Sequence, residues 1–203
     1  MQRRSFIQAA GAAAAALGVP SVFAQEWPTG PVRIVVGFPP GGGTDALARV
    51  VAQKLSVMWN QTVIVENKGG VAGVLAAEYV STQPSDGSTL LMAHINSHAL
   101  APSLQPKLRY DVQRDFVPIV LVGVTPNLLI ASPTQKAVTV KDIVALCAAE
   151  PGKVSFGSAG AGSAQHLALE MLQAKVDALH VPYKGPCAEI AFFDVPRMKT
   201  IDS

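Results

Sequence analysis

The chain has 203 residues, 49% of them hydrophobic and 15% charged, which is enough apolar content for one domain or two small ones and too much for a disordered protein. Apart from Arg3 and Arg4, which belong to an N-terminal leader, the basic residues equal the 14 acidic ones, and they form no cluster. That balance argues against nucleic acid or an anionic membrane surface as partner.

Met1 to Ala24 reads as a secretory signal peptide: Arg3 and Arg4, an alanine-rich apolar run from Phe6 to Val19, then Val22-Phe23-Ala24 at the positions a signal peptidase recognises. The run is too short and too alanine-rich to span a hydrocarbon core of about 30 Å. No cysteine follows the cleavage point to carry a lipid, so a soluble chain starting at Gln25, without membrane insertion, is expected. Arg3-Arg4-Ser5-Phe6-Ile7 loosely matches a twin-arginine signal, which leaves the export route open.

Gln25 to Pro31 leads into a first strand, Val32 to Val36, apolar except at Arg33. The strand runs into Phe38-Pro39-Pro40-Gly41-Gly42-Gly43-Thr44-Asp45, and a helix is predicted from Thr44 to about Met58 with Leu47, Val50, Val51, Leu55 and Met58 on its apolar face. The first N–H groups of such a helix have no internal acceptor and carry the positive end of its dipole. Gly41, Gly42 and Gly43 would let an anion approach that backbone, while Thr44 or Asp45 supplies a capping oxygen. The plainer reading is a tight, well-capped turn. A second strand, Val63 to Glu66, leads through Asn67-Lys68-Gly69-Gly70 into a helix from Val71 to about Thr82 that contains Gly73. Pro84-Ser85-Asp86-Gly87 makes a turn and Thr89 to Ala93 a third strand. Strand and helix in alternation call for right-handed βαβ units, a parallel sheet, and a ligand beyond the carboxyl ends of the strands. His94-Ile95-Asn96-Ser97-His98 then reads as a loop on that rim, with Asn96 and Ser97 as neutral hydrogen-bonding groups for an anion. His94 and His98 have the spacing of metal ligands on a helix, but no third ligand is near in sequence and no metal is expected.

Pro102 to Pro118 is charged and turn-rich from Tyr110 to Phe116, and reads as the crossing between a first lobe, residues 25–117, and a second, residues 118–185. In the second lobe Leu121 to Val124 and Asn127 to Ala131 are predicted strands. Thr139 to Asp142 is a capping-box start for a helix ending near Pro151-Gly152, and Val154 to Phe156 is a strand. Gly157-Ser158-Ala159-Gly160-Ala161-Gly162-Ser163 follows and opens a helix bearing Leu167, Met171 and Leu172. Two small-residue loops, one per lobe and each before a helix N-terminus, are thus expected to face one another across a cleft. Cys147 reads as a small buried residue, and a bridge to Cys187 stays open.

Five segments, Phe38 to Asp45, Glu66 to Gly70 with Gly73, Asp86 to Leu91, Gly157 to Gly160 with Ser163 and His166, and Val181-Pro182-Tyr183-Lys184-Gly185, resemble in order and spacing the Bug-type periplasmic solute-binding proteins of tripartite tricarboxylate transport systems. The resemblance implies an α/β, two-lobed periplasmic-binding-protein-like fold of type II, closing on a small carboxylate held by loop backbone and water rather than by arginine. It implies a periplasmic protein without cofactor or catalysis, with the membrane subunits of such a transporter as partners; a monomer is expected if the chain folds. Carried onto this sequence, the ligand site takes Phe38, Gly41, Gly42, Gly43, Thr44 and Asp45 from the first loop and Ser158, Ala159, Gly160, Ser163 and His166 from the second. Asn96 and Ser97 join them, with Tyr183 and with Lys184 as the one cation near the cleft. Tyr183 and Lys184 read equally as a hinge, and His166 as either a helix-face residue or a ligand-bonding group. Pro186 to Ser203 departs from the family's continuation, so a fold lacking its C-terminal portion and ending in an atypical tail is expected, and the alternative function is a truncated fragment that binds nothing.

Two other classes compete. Gly41, Gly43 and Ala46 satisfy G-x-G-x-x-A after a strand, and Glu66 ends the next strand where a ribose-binding acid of a dinucleotide enzyme would stand, but Pro39-Pro40 and the export signal count against it. A hydrolase lacks its G-x-S-x-G elbow, and Glu170, one turn beyond His166, reads as poorly placed to orient the imidazole.

Overall fold

The computed structural model describes residues 27–124, 126–131, 137, 139–173, 176–183 and 190–193. The signal segment Met1 to Ala24, the start at Gln25, Lys184, Cys187 and all of the tail except Ile190–Phe193 lie outside those residues.

Strand β1 (Val32–Val36) is the middle of a parallel three-stranded sheet, between β2 (Val63–Asn67) and β3 (Thr89–Met92), with Val32 opposite Val63 and Arg33 opposite Thr89. A central parallel strand covered on both faces has no solvent side, which accounts for its apolar run. Ile34 and Val36 pack with Ala48 and Ala52 of helix α1 (Gly43–Trp59). From the other face Arg33 donates to Tyr79 Oη at 3.1 Å in helix α2 (Val74–Ser81) and to Thr89 Oγ1 at 3.1 Å.

Helix α1 starts and stops within a residue of its predicted limits, but its face differs. Asp45, Ala48 and Ala52 are its buried residues, whereas the predicted Leu47, Val50 and Met58 are 38%, 58% and 75% exposed. Small side chains let the helix axis approach the sheet, so the alanine stripe makes the contact and the larger residues stand beside it, Val51 and Leu55 half-buried. The second predicted helix also changes: Val71–Gly73 forms a separate 3₁₀ turn and α2 begins only at Val74, because Gly73, at φ +93, is the residue before the helix rather than inside it. A Cβ on Gly37 would lie 2.7 Å from Gly73 Cα, so the two backbones cross here at a distance that leaves no room for a side chain on Gly37. The segment expected as a loop after β3 is helical: Asn96–Leu100 forms a π-type turn that continues into the short α3 (Ala101–Leu104).

The second sheet has the order β4-β7-β5-β6, built from β4 (Leu128–Ala131), β5 (Ser155–Ser158), β6 (Leu179–Pro182) and β7 (Ile190–Phe193). β5 runs parallel to β6 and antiparallel to β7, and β4 runs parallel to β7. Leu121 to Val124 is not a strand: its backbone pairs with no described strand, and Leu121 and Val124 are 79% and 82% exposed. Helix α4 (Val140–Ala149) begins with the expected capping box, Asp142 N donating to Thr139 Oγ1 at 3.2 Å and Thr139 N to Asp142 Oδ2 at 2.9 Å. Cys147 is fully buried with Ile143, Phe156 and Leu169, and burial pushes its thiol up. Helix α5 (Ala164–Gln173) completes the described second lobe. No described helix is long and apolar enough to cross a membrane.

Candidate functional site

The first glycine loop is held by a polar network that sits beneath it. Gly42 is the residue before α1, in extended backbone at φ −81, and it provides no side-chain cap to the helix. The expected capping role of Asp45 takes another form: its Oδ2 accepts the Gly41 N–H at 2.9 Å and Arg49 Nε at 2.8 Å, while Oδ1 accepts Asn67 Nδ2 at 2.8 Å. Asn67 Nδ2 also donates to Phe38 O at 3.0 Å, so the end of β2 clasps both ends of the loop. Asp45 is 2% exposed, and the Arg49 guanidinium, followed by Gly41 N–H and the Asn67 amide, outweighs burial to hold its carboxyl at about 2. The carboxylate is therefore a fixed strut for the loop, beneath the N-terminal end of α1 where the helix dipole is positive.

The π-type turn lies next to this loop. His94 packs edge-on against Phe38 with ring centroids 4.9 Å apart, and Phe38 belongs to the core that also holds Ile34 and Ala48. Asn96 and Ser97 are 2% and 3% exposed. Ser97 Oγ is bonded to His94 O at 3.2 Å and lies 2.9 Å from His98 Nδ1, while Ser97 O accepts Tyr110 Oη at 2.5 Å. His94 and His98 thus face aromatic neighbours, His98 lying against Tyr110 and Phe116, and no cluster of three His, Cys, Asp or Glu placed for a metal occurs among the described residues.

Asn96 reaches the other lobe. Its Oδ1 accepts the N–H of Ala164, the first residue of α5, at 3.0 Å, and Ser163 Oγ accepts the N–H of His166 at 3.2 Å. The start of α5, expected to be open to a ligand, already has two internal acceptors. The second loop is accordingly joined to the turn at Asn96, which is in contact with the first glycine loop through Phe38 and His94. Gly160 takes φ +123, and the Ser158 hydroxyl accepts its N–H at 3.1 Å. Ser158 Oγ also lies 2.6 Å from His180 Nε2, and Tyr183 N donates to Ser158 O at 2.9 Å.

His166 stacks on His180 with centroids 4.1 Å apart, accepts Gly162 N–H on Nδ1 at 3.2 Å, and places Nε2 3.1 Å from Glu170 Oε1. Glu170 does orient that imidazole, contrary to the expectation, because one helical turn is the separation at which the two side chains meet. Sequence reasoning also missed Arg49, Asn67 and His180, none of which lies in a glycine loop; the asparagine ending β2 was visible only as part of a motif. A cavity of about 490 Å³ lined by Arg49, Ala52, Gln53, Ser56, Val57, Val63 and Val65 lies between α1 and the edge strand β2, apart from the glycine loops.

Two α/β units meeting along a rim of strand-end loops define a binding-protein architecture. Residues 47–195 match the model of the tripartite tricarboxylate transporter family receptor, and the chain belongs to that family. It is similar to Protein BugT of Bordetella pertussis, 37% identical over 183 residues that make up 89% of this chain and 54% of that one. Among solved structures it is similar to R. palustris Rpa4515 with adipate, at TM-score 0.75 and 34% identity over 79% of this chain and 54% of that one. It is also similar to MatC (Rpa3494) from Rhodopseudomonas palustris with bound malate, at TM-score 0.71 and 32% identity over 78% of this chain and 55% of that one. The chain spans about half the length of these relatives. The fold is the mixed α/β fold of periplasmic binding proteins of this receptor type.

Proposed function

We propose that the chain is the ligand-capturing part of an extracytoplasmic receptor that binds a small carboxylate and presents it to the membrane subunits of a tripartite tricarboxylate-type transporter. The observation that carries this reading is the start of α1, where Gly42 provides no side-chain cap and the Asp45–Arg49–Asn67 network fixes the loop in place. A carboxylate arriving there meets helix N–H groups and the positive end of the dipole, and each charge-assisted bond contributes about 1.5 to 3 kcal/mol. In this reading Gly41, Gly42, Gly43 and Thr44 contact the ligand, Asp45 positions them, Asn96 and Ser97 stand beside them, and Ser158 to Gly160, Ser163, His166 and Tyr183 form the facing wall. Residues 25–117 and 118–185 are the two lobes, and residues 1–24 direct export to the periplasm. The adipate and malate of the related structures fit this ligand class.

Calorimetric titration of the purified protein with organic acids, amino acids, sugars and NAD tests the proposal. Heat from carboxylates alone is the expected result. Binding of only a sugar or NAD would refute it.

A further inference from the structure

The first turn of α5 holds a buried polar side chain, Gln165. Gln165 is 3% exposed, its Nε2 donates to Asn127 Oδ1 at 2.9 Å, and its Oε1 has no hydrogen-bond partner among the described residues. A buried carboxamide oxygen left unbonded is rare in a folded protein, because the oxygen loses its water and gains nothing in return.

The place of this oxygen follows from the topology. β5 ends at Ser158, β7 runs antiparallel to it, and β4 runs parallel to β7 with Leu128 opposite Ile190. The entry to β4, where Asn127 stands, is therefore at the same end of the sheet as the Ser158–Ser163 loop. One residue before Gln165, the Ala164 N–H is bonded to Asn96 Oδ1 from the first lobe at 3.0 Å. Gln165 thus lies where the two lobes meet, on the rim where the carboxylate is proposed to bind, held by Asn127 through Nε2 and with Oε1 left without a partner among the described residues.

We propose that the Gln165 carboxamide, held by Asn127, reads a hydrogen-bond donor on the carbon frame of the bound carboxylate, so that the site takes a hydroxy- or amino-substituted carboxylate in preference to the unsubstituted one. This rests on the carboxylate-receptor reading and narrows its ligand class. Helix N–H groups recognise a carboxylate whatever it is attached to. The Gln165 oxygen recognises a hydroxyl or an ammonium, and a methylene at the same place leaves it unbonded. A site built around such an acceptor discriminates by roughly tenfold or more.

The test is calorimetry with matched ligands, succinate against malate and aspartate, and glutarate against glutamate, on the wild type, Gln165→Met and Asn127→Ala. Methionine keeps the length of the side chain and removes the acceptor; Asn127→Ala keeps Gln165 and removes its anchor. The expected result is a preference of about tenfold or more for the substituted member of at least one pair. That preference should fall to near unity in Gln165→Met and narrow in Asn127→Ala, with the affinity for the unsubstituted acid held within about threefold. Equal affinities in the wild type, or a preference that survives Gln165→Met, would overturn the inference and leave the receptor reading standing. A folded protein that binds no carboxylate would overturn both.

Discussion

Asn96 Oδ1 and the N–H of Ala164, 68 residues apart in sequence, are joined by a 3.0 Å hydrogen bond, so a side chain of the first lobe caps a helix of the second. The bond is buried on the Asn96 side, where the residue is 2% exposed. Replacing it by alanine leaves the first amide of α5 without its acceptor. Asn96→Ala is expected to lower stability by about 1 kcal/mol, read from the urea midpoint at constant slope. An unchanged midpoint would mean that the cap is replaced by water at no cost.

Gly41 and Gly42 separate fold from binding. Gly41 stands at φ +90, a conformation that L side chains adopt only under strain, whereas Gly42 at φ −81 and ψ 170 is in backbone that any residue accepts. Gly41→Ala should therefore destabilise the protein by about 1 to 2 kcal/mol. Gly42→Val should abolish carboxylate binding with nearly unchanged far-ultraviolet circular dichroism, because the new side chain stands at the helix start that the ligand needs. Equal loss of fold and binding in Gly42→Val would support the simple turn instead.

Much of the architecture was legible because it depends on local patterns. The apolar run at Val32 to Val36, the βαβ alternation and the Thr139–Asp142 capping box all express themselves within a few residues. The errors fall where distant parts meet. The buried face of α1 is set by how close Ala48 and Ala52 come to the sheet, and the break at Gly73 by its crossing with Gly37, neither of which has a sequence period. Leu121 to Val124 reads as a strand by composition but pairs with no described strand. At the site, glycines marked both loops. The side chains that hold them, Asn67, Asn96 and His180, come from other strands and turns, and only the fold brings them together.

Asp45 makes the first loop a source of acid sensitivity. Its carboxyl is held at about 2 against an ordinary 3.8, chiefly by Arg49, so the folded state binds its proton less readily than the unfolded chain. The stabilisation, about 2 kcal/mol, is fully present above pH 3.8 and is lost as pH falls toward 2. Asp45→Asn should lower stability at neutral pH and flatten its fall over that interval, measured by urea unfolding at a series of pH values. A parallel fall in both proteins would show that Asp45 does not carry it.

The segment from Val117 to Val124 exposes Val117, Ile119, Leu121 and Val124 at 86%, 76%, 79% and 82%. Contiguous apolar side chains on backbone that pairs with no described strand offer a surface for association. The prediction is concentration-dependent self-association, in contrast to the monomer expected of the folded chain. Sedimentation velocity checks it: the wild type should shift to larger species at micromolar concentration and the double variant Leu121→Ser with Val124→Ser should shift less. A wild type that stays monomeric throughout would defeat the prediction.

His180 gives the second loop a pH response at a milder pH than that of Asp45. Its imidazole lies 2.6 Å from Ser158 Oγ and is stacked on His166, and burial first, then the neighbouring His166, push its pKa below 6.5, with Glu170 opposing. The unfolded chain therefore takes up a proton at this position near pH 6.5, while the folded protein takes it up only at lower pH. Where the unfolded state binds more protons, stability rises with pH. The contribution is complete above pH 6.5 and falls as pH drops from there through the lower value of the folded state. His98, also pushed down by burial, acts in the same direction, so removing His180 removes part of the slope. His180→Gln should thus show a smaller loss of urea stability between about pH 8 and about pH 5 than the wild type. Protonation also places a positive charge beside Ser158 Oγ, the atom that accepts the Gly160 N–H, and so disturbs the loop that begins there. Carboxylate affinity measured at the same two pH values should accordingly fall more in the wild type than in His180→Gln, and an identical fall in both would exclude His180 as its origin.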